Sequence, residues 1–114
     1  MASLAFVIPI LPGKEQTDRE AFDSFTSGGE KDAFADWNRS HGIRRHAVWH
    51  QTTRTGTLAI VLIEADDIEA ALGGVATSDQ PFDARFRDLV KDVHDVDLAK
   101  DPPAEVVQVI DWRG

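Results

Sequence analysis

Hydrophobic residues fall into blocks along the chain, and their spacing alternates between strand-like and helix-like. Residues 4–11 read Leu-Ala-Phe-Val-Ile-Pro-Ile-Leu and residues 58–63 read Leu-Ala-Ile-Val-Leu-Ile, apolar on both alternating sets. A strand with one wet face alternates apolar with polar, so strands lacking that alternation are expected to be buried on both faces. Residues 45–53 predict a more mixed strand, and Arg54-Thr55-Gly56 a hairpin turn into the next one. Residues 106–112 predict a closing strand. Phe22, Phe25, Ala33, Phe34 and Trp37 recur at helical spacing, and Phe82, Phe86, Leu89, Val90 and Val93 trace the stripe of a later helix. The order is β-α-β-β-α-β, that of a ferredoxin-like α+β domain: a four-stranded antiparallel sheet with helices on one face. The other face then needs a cover, and a second copy of the chain supplies it.

Local signals set the expected boundaries. Pro12-Gly13 makes a turn after the first strand. Thr17 and Glu20 match a capping box at a helix start. Ser27-Gly28-Gly29 interrupts the helical pattern, and Ser27 with Glu30 forms a second such box, so the helix breaks and restarts there; the segment reads as a kink, a short loop or a mobile lid. His41-Gly42 ends that helix, with His41 read as interacting with its terminus. Asp66 or Asp67 caps a short helix over residues 68–76, and Pro81 sits at or just before the next helix start. His94 is expected to meet the carbonyls at the end of its own helix. Asp101-Pro102-Pro103 reads as a stiff connector into the last strand.

Composition narrows the classes. With 114 residues the chain fits one domain, residues 1–114. No apolar run approaches the roughly 18 residues that span a bilayer, and the N-terminal residues read as strand rather than signal peptide, so no membrane role is expected. Cysteine is absent, which removes thiolate chemistry and fits a cytoplasmic location. A net charge of −8 argues against nucleic acid as a partner. The one basic cluster, Arg39, Arg44 and Arg45, is read as pairing with carboxylates.

Further positions carry a resemblance. These are Ile10-Leu11-Pro12-Gly13-Lys14, Gly42-Ile43 leading to Val48-Trp49-His50-Gln51, and Ser78-Asp79-Gln80-Pro81-Phe82-Asp83 with Phe86. Val93-His94-Asp95-Val96-Asp97-Leu98 and the closing Asp111-Trp112 complete the set. On these residues the chain resembles the dimeric α+β barrel superfamily of ferredoxin-like proteins and, within it, a small, poorly characterised bacterial family. His50 departs from the aliphatic residue expected at that position. The resemblance implies a homodimer. Activity stays open, because the superfamily includes cofactor-free monooxygenases, polyketide cyclases, sugar mutarotases and haem-binding enzymes.

The chemistry-bearing candidates are few. His46 and His50 share one strand face four residues apart, about 13 Å, too far to hold one metal ion between them. No metal site and no cofactor is therefore expected. Either histidine is a candidate general base, with Arg44 as anion stabiliser. Trp49, Phe6 and Trp112 are candidate contacts for a small hydrophobic or aromatic ligand in an apolar pocket on the dimer-facing side. One reading is a cofactor-independent enzyme of cyclase, isomerase or monooxygenase type. The alternative is a non-enzymatic ligand-binding or structural homodimer, and a haem-binding variant ranks third because no motif singles out one histidine.

Overall fold

Strand β1 (Ala2–Pro9) is followed by helices α1 (Glu15–Thr26) and α2 (Lys31–Ser40), then strands β2 (Ile43–Thr53) and β3 (Gly56–Ala65), and finally helices α3 (Ile68–Thr77) and α4 (Pro81–His94). This computed structural model describes residues 2–101 and 105–114. The three strands form an antiparallel sheet in the order β1-β3-β2. It is a small α+β domain compatible with a ferredoxin-like fold.

The period of two sorts each strand into two faces. Leu4, Phe6 and Ile8 of β1, Ala59, Val61 and Ile63 of β3, and Val48 of β2 lie on the face that the helices cover. The register puts Ala5 opposite Leu62 and Val7 opposite Ile60 on the other face, with Ala47 and Trp49 beside them from β2. That second face is apolar and uncovered within one chain: Val7 is 56% and Trp49 49% exposed. The lack of alternation in the first and third strands thus has a structural counterpart. One apolar set is packed under helices, and the other is left without a partner.

The closing strand is the main correction. Residues 106–112 form no strand and join no sheet, so the sheet has three strands rather than four among the described residues. Strand propensity measures fit to a pleated, half-buried surface, and within one chain this segment finds no such surface. The connector read at Asp101-Pro102-Pro103 reaches beyond the described residues, since Pro102 and Pro103 lie outside them.

Helix boundaries agree with the sequence except at one cap. Helix α1 begins at Glu15, so Thr17 lies inside the first turn and no side chain caps the helix. Asp67 is the cap of α3, its carboxylate accepting from the Ala70 amide at 3.0 Å, and Pro81 opens α4. The chain does break between α1 and α2. The Ser27 and Gly28 amides close back onto the Asp23 carbonyl at 2.9 and 3.1 Å, a tight joint rather than a loose loop. A Cβ on Gly28 would stand 2.8 Å from the Ser24 Cα, so only glycine fits. Gly28→Ala is therefore expected to lower stability by about 1–3 kcal/mol, because backbone must move to admit the methyl. Urea unfolding measures it; an unchanged midpoint would mean the joint is pliable.

Candidate active site: two histidine–aspartate pairs around an aromatic cluster

Helices α1, α2 and α4 meet β2 through aromatic rings. Phe25 stacks on Phe34 with centroids 5.1 Å apart, and Trp37 lies 4.6 Å from Phe86. His46 projects from β2 into this cluster, within 5.6 Å of Phe34 and 5.9 Å of Phe86. Its Nδ1 lies 3.2 Å from the Asn38 side-chain oxygen, which accepts the ring proton. Burial pushes the imidazole down to about 4, because a charged ring among phenyl groups loses its water without gaining a counter-ion. His46 is neutral at physiological pH and a weak base.

Two buried carboxylates flank the cluster. Asp83, in the first turn of α4, is fully buried. One of its oxygens, Oδ1, accepts from the Trp37 indole at 2.7 Å and lies 2.7 Å from His41 Nε2. Burial alone would raise this carboxyl, but the bonds from Trp37 and His41 and the attraction of His41 outweigh it and hold it below the usual carboxylate range. The Ser78 side chain pulls the same way without completing a bond to Oδ2, the one fully buried side-chain oxygen without a partner among the described residues. The positive end of the α4 dipole helps as well. His41 thus reaches across to another helix rather than serving only its own terminus. Its ring packs closely against Gly74, where a Cβ would come within 2.6 Å of Nδ1.

The second pair is as buried as the first, with His50 10% and Asp18 2% exposed against 11% for His41 and 0% for Asp83. Asp18, in α1, is 2% exposed, and its Oδ2 lies 2.7 Å from His50 Nε2 on β2. The Arg19 Nε–H donates to His50 Nδ1 at 3.3 Å. A donor facing Nδ1 requires a lone pair there, so the proton sits on Nε2, shared with Asp18, and the imidazole is neutral. Arg19, Phe22, Asp23, Val48 and His50 line an open cleft of about 410 Å³.

The structure separates the residues singled out from sequence. His46 and His50 do share a face of β2, but it is the helix-covered face, not the open one. Phe6 packs on the same side in the core, while Trp49 stands on the open face. Arg44 is the extra residue of a β-bulge between Ile43 and Arg45, and its guanidinium is paired with both Asp66 oxygens at 2.9 Å. Arg39 and Arg45 likewise meet Asp36 and Glu64 at 3.4 and 3.7 Å, the carboxylate pairing expected of the basic cluster. Trp112 is 81% exposed in the C-terminal segment. The His94 Nδ1–H donates to the Pro9 carbonyl at 2.8 Å, tying α4 to β1 instead of to its own helix end. Of the candidates, only His50 lines the cleft. Asp18, Arg19 and Asp83 were not read from sequence as site residues. A signal was present, since Asp18 falls on the apolar stripe Ala21-Phe22-Phe25 and Asp83 on that of Phe86-Val90-Val93.

Compared with protein-family models, with curated proteins and with solved structures, the chain matches none.

Two outcomes are expected. His46 takes up a proton near pH 6.5 in the unfolded chain and only near 4 in the folded one. Its stabilisation is complete above pH 6.5 and is lost as pH falls from 6.5 towards 4, by about 3 kcal/mol at most. Thermal unfolding of His46→Phe across that range should show a correspondingly flatter profile than the parent; parallel profiles would contradict the buried neutral ring. Gly74→Ala should dislodge His41 from Asp83 and cost about 1–3 kcal/mol, read by urea unfolding.

Proposed function

We propose that the chain is a cofactor-independent acid–base enzyme of isomerase or cyclase type, acting on a small organic substrate with a C–H acidified by a neighbouring carbonyl. One observation carries this reading. A buried carboxylate, Asp18, holds one nitrogen of His50, the other nitrogen meets the Arg19 guanidinium, and His50 and Arg19 both line a cleft. A carboxylate so placed fixes the tautomer and steadies the imidazolium once a proton arrives. A buried acid paired with a histidine in a cleft is a frequent mark of a functional site.

The chemistry follows from the positions. A substrate carbonyl binding Arg19 draws the guanidinium off His50 and frees the Nδ1 lone pair. Nδ1 takes the proton from the carbon, the C–H electron pair moves into the enolate, and Arg19 holds the oxyanion. Returning the proton from Nδ1 to the far carbon of a conjugated enolate isomerises the substrate; attack by the enolate on an internal carbonyl cyclises it, and the new alkoxide takes the proton back from Nδ1. His50 suits the task better than His46, whose low basicity leaves little driving force for proton transfer. Phe22 and Val48 supply the apolar wall of the cleft.

The protein's own assembly is read as a homodimer formed through the open sheet face, supported by the exposed Val7 and Trp49 and the apolar residues beside them. A cytoplasmic location accords with a cysteine-free composition. A second, non-enzymatic reading is favoured by the His41–Asp83 pair, which shows that this fold already uses a histidine–aspartate contact as a fastener. In that reading His50–Asp18 fastens α1 to β2.

Solvent exchange separates the two. The protein is incubated in D2O with a panel of small enolisable ketones and keto acids, and deuterium uptake is followed by mass spectrometry. The enzyme reading expects uptake that falls about 100-fold or more in His50→Ala and in Arg19→Ala. Uptake at the rate of the His50→Ala variant, together with a large stability loss in that variant, would leave the fastener.

A further inference from the structure

We infer that the C-terminal segment, residues 105–114, is an exchanged strand that pairs with the free edge of β1 in a second copy of the chain, each copy giving its segment to the other. The inference rests on the homodimer read from the open sheet face and states how that dimer is closed.

The two edges of the sheet are built differently. The β2 edge carries a bulge between Ile43 and Arg45, the charged Arg44 and Arg45, and the polar run Gln51-Thr52-Thr53. Bulges and charges are the usual means of keeping an edge from pairing with another chain. The β1 edge has none of this. Its eight residues, Ala2–Pro9, pair one for one with β3 without irregularity and include no charged side chain; only Pro9, at the end, lacks an amide donor. Such an edge is a template for another strand, and among the described residues no strand occupies it; only the Pro9 carbonyl, at its end, is taken by His94.

The same chain holds an element with the opposite lack. Residues 105–114 read Glu-Val-Val-Gln-Val-Ile-Asp-Trp-Arg-Gly, rich in the β-branched and aromatic residues that favour strands. Among the described residues they pair with no strand: Val109 is 92%, Ile110 80% and Trp112 81% exposed. A run of large apolar side chains in water next to an unguarded sheet edge is two halves of one contact. Return of the segment to its own β1 would fill the edge but leave the open face around Trp49 in water. Exchange between two copies satisfies edge and face in one symmetric interface, in which every contact is made twice. Before the segment, Asp97 and Asp101 close a compact turn, with the Asp101 amide on the Asp97 carbonyl at 2.7 Å and the Asp97 amide on the Asp101 carboxylate at 2.8 Å.

The test uses the full chain. Val107→Pro with Val109→Pro removes two ladder donors from a segment that makes no strand within one chain, so far-ultraviolet circular dichroism of the monomer fold should be retained. Sedimentation is expected to show a dimer for the parent and a dimer dissociation constant raised about 100-fold or more for the variant. Because the chain has no cysteine, Ala5→Cys mixed with Val107→Cys or with Val109→Cys should in addition give a disulfide between chains. An unchanged dissociation constant overturns the exchange and leaves the dimer standing. A disulfide that forms only within one chain, when Ala5→Cys and Val107→Cys or Val109→Cys are combined, assigns the strand to its own sheet and overturns it too. A parent that sediments as a monomer at every concentration removes the dimer itself.

Discussion

A carboxylate withdrawn from water must be met by donors, and in this fold two such carboxylates decide where the helices sit. Asp83 carries α4 to α2 by gripping Trp37 and His41, and Asp18 carries α1 to β2 by gripping His50. Each is a poor residue to bury and a worse one to leave unpaired, so each makes its partners obligatory. The aromatic rings between them add area but little direction, since ring contacts tolerate a range of angles. The pairs supply the direction. Together they hold three helices on one face of the sheet and bring His50 to the rim of a cleft.

Periodicity made the elements readable. The phenylalanine stripe of α4, the proline at its start, the aspartate cap of α3 and the hairpin at Arg54-Thr55 depend on contacts a few residues apart, and the sequence displays such contacts directly. The break at Gly28 was readable for the same reason. The start of α1 was not, because Thr17 and Glu20 imitate a capping box while the helix has already begun at Glu15. That false cap also drew attention from Asp18, one position along. An acidic residue on an apolar stripe looks like a helix-start charge until the strand across from it is known.

The site was half legible. His50 stood out as a titratable residue in a strand, and period two placed it beside His46 on one face. The sequence held nothing to say that this face was the covered one, because β2 is the mixed strand and both its sets contain polar residues. Arg19 became visible only with the helix laid over the strand, 31 positions away. Arg44 drew notice by its position in a basic run, yet a bulge turned it toward Asp66. The closing strand marks the same limit from the other side: residues 106–112 have a strand's composition, and composition does not name the partner.

The two histidine–aspartate pairs are alike in burial and differ in what meets the second histidine nitrogen. His41 and Asp83 lie against Gly74 and under Trp37, where the second carboxylate oxygen finds no partner and no solvent. The pair ties α2 to α4. His50 has the same partner at the same 2.7 Å, but its second nitrogen faces a donor on the wall of an open cleft. Arg19 donates to that nitrogen from the end of a long, flexible stem. In the proposed enzyme a ligand that attracts the guanidinium would uncover a base in the same movement, with the buried Asp18 keeping that base in the tautomer able to accept a proton.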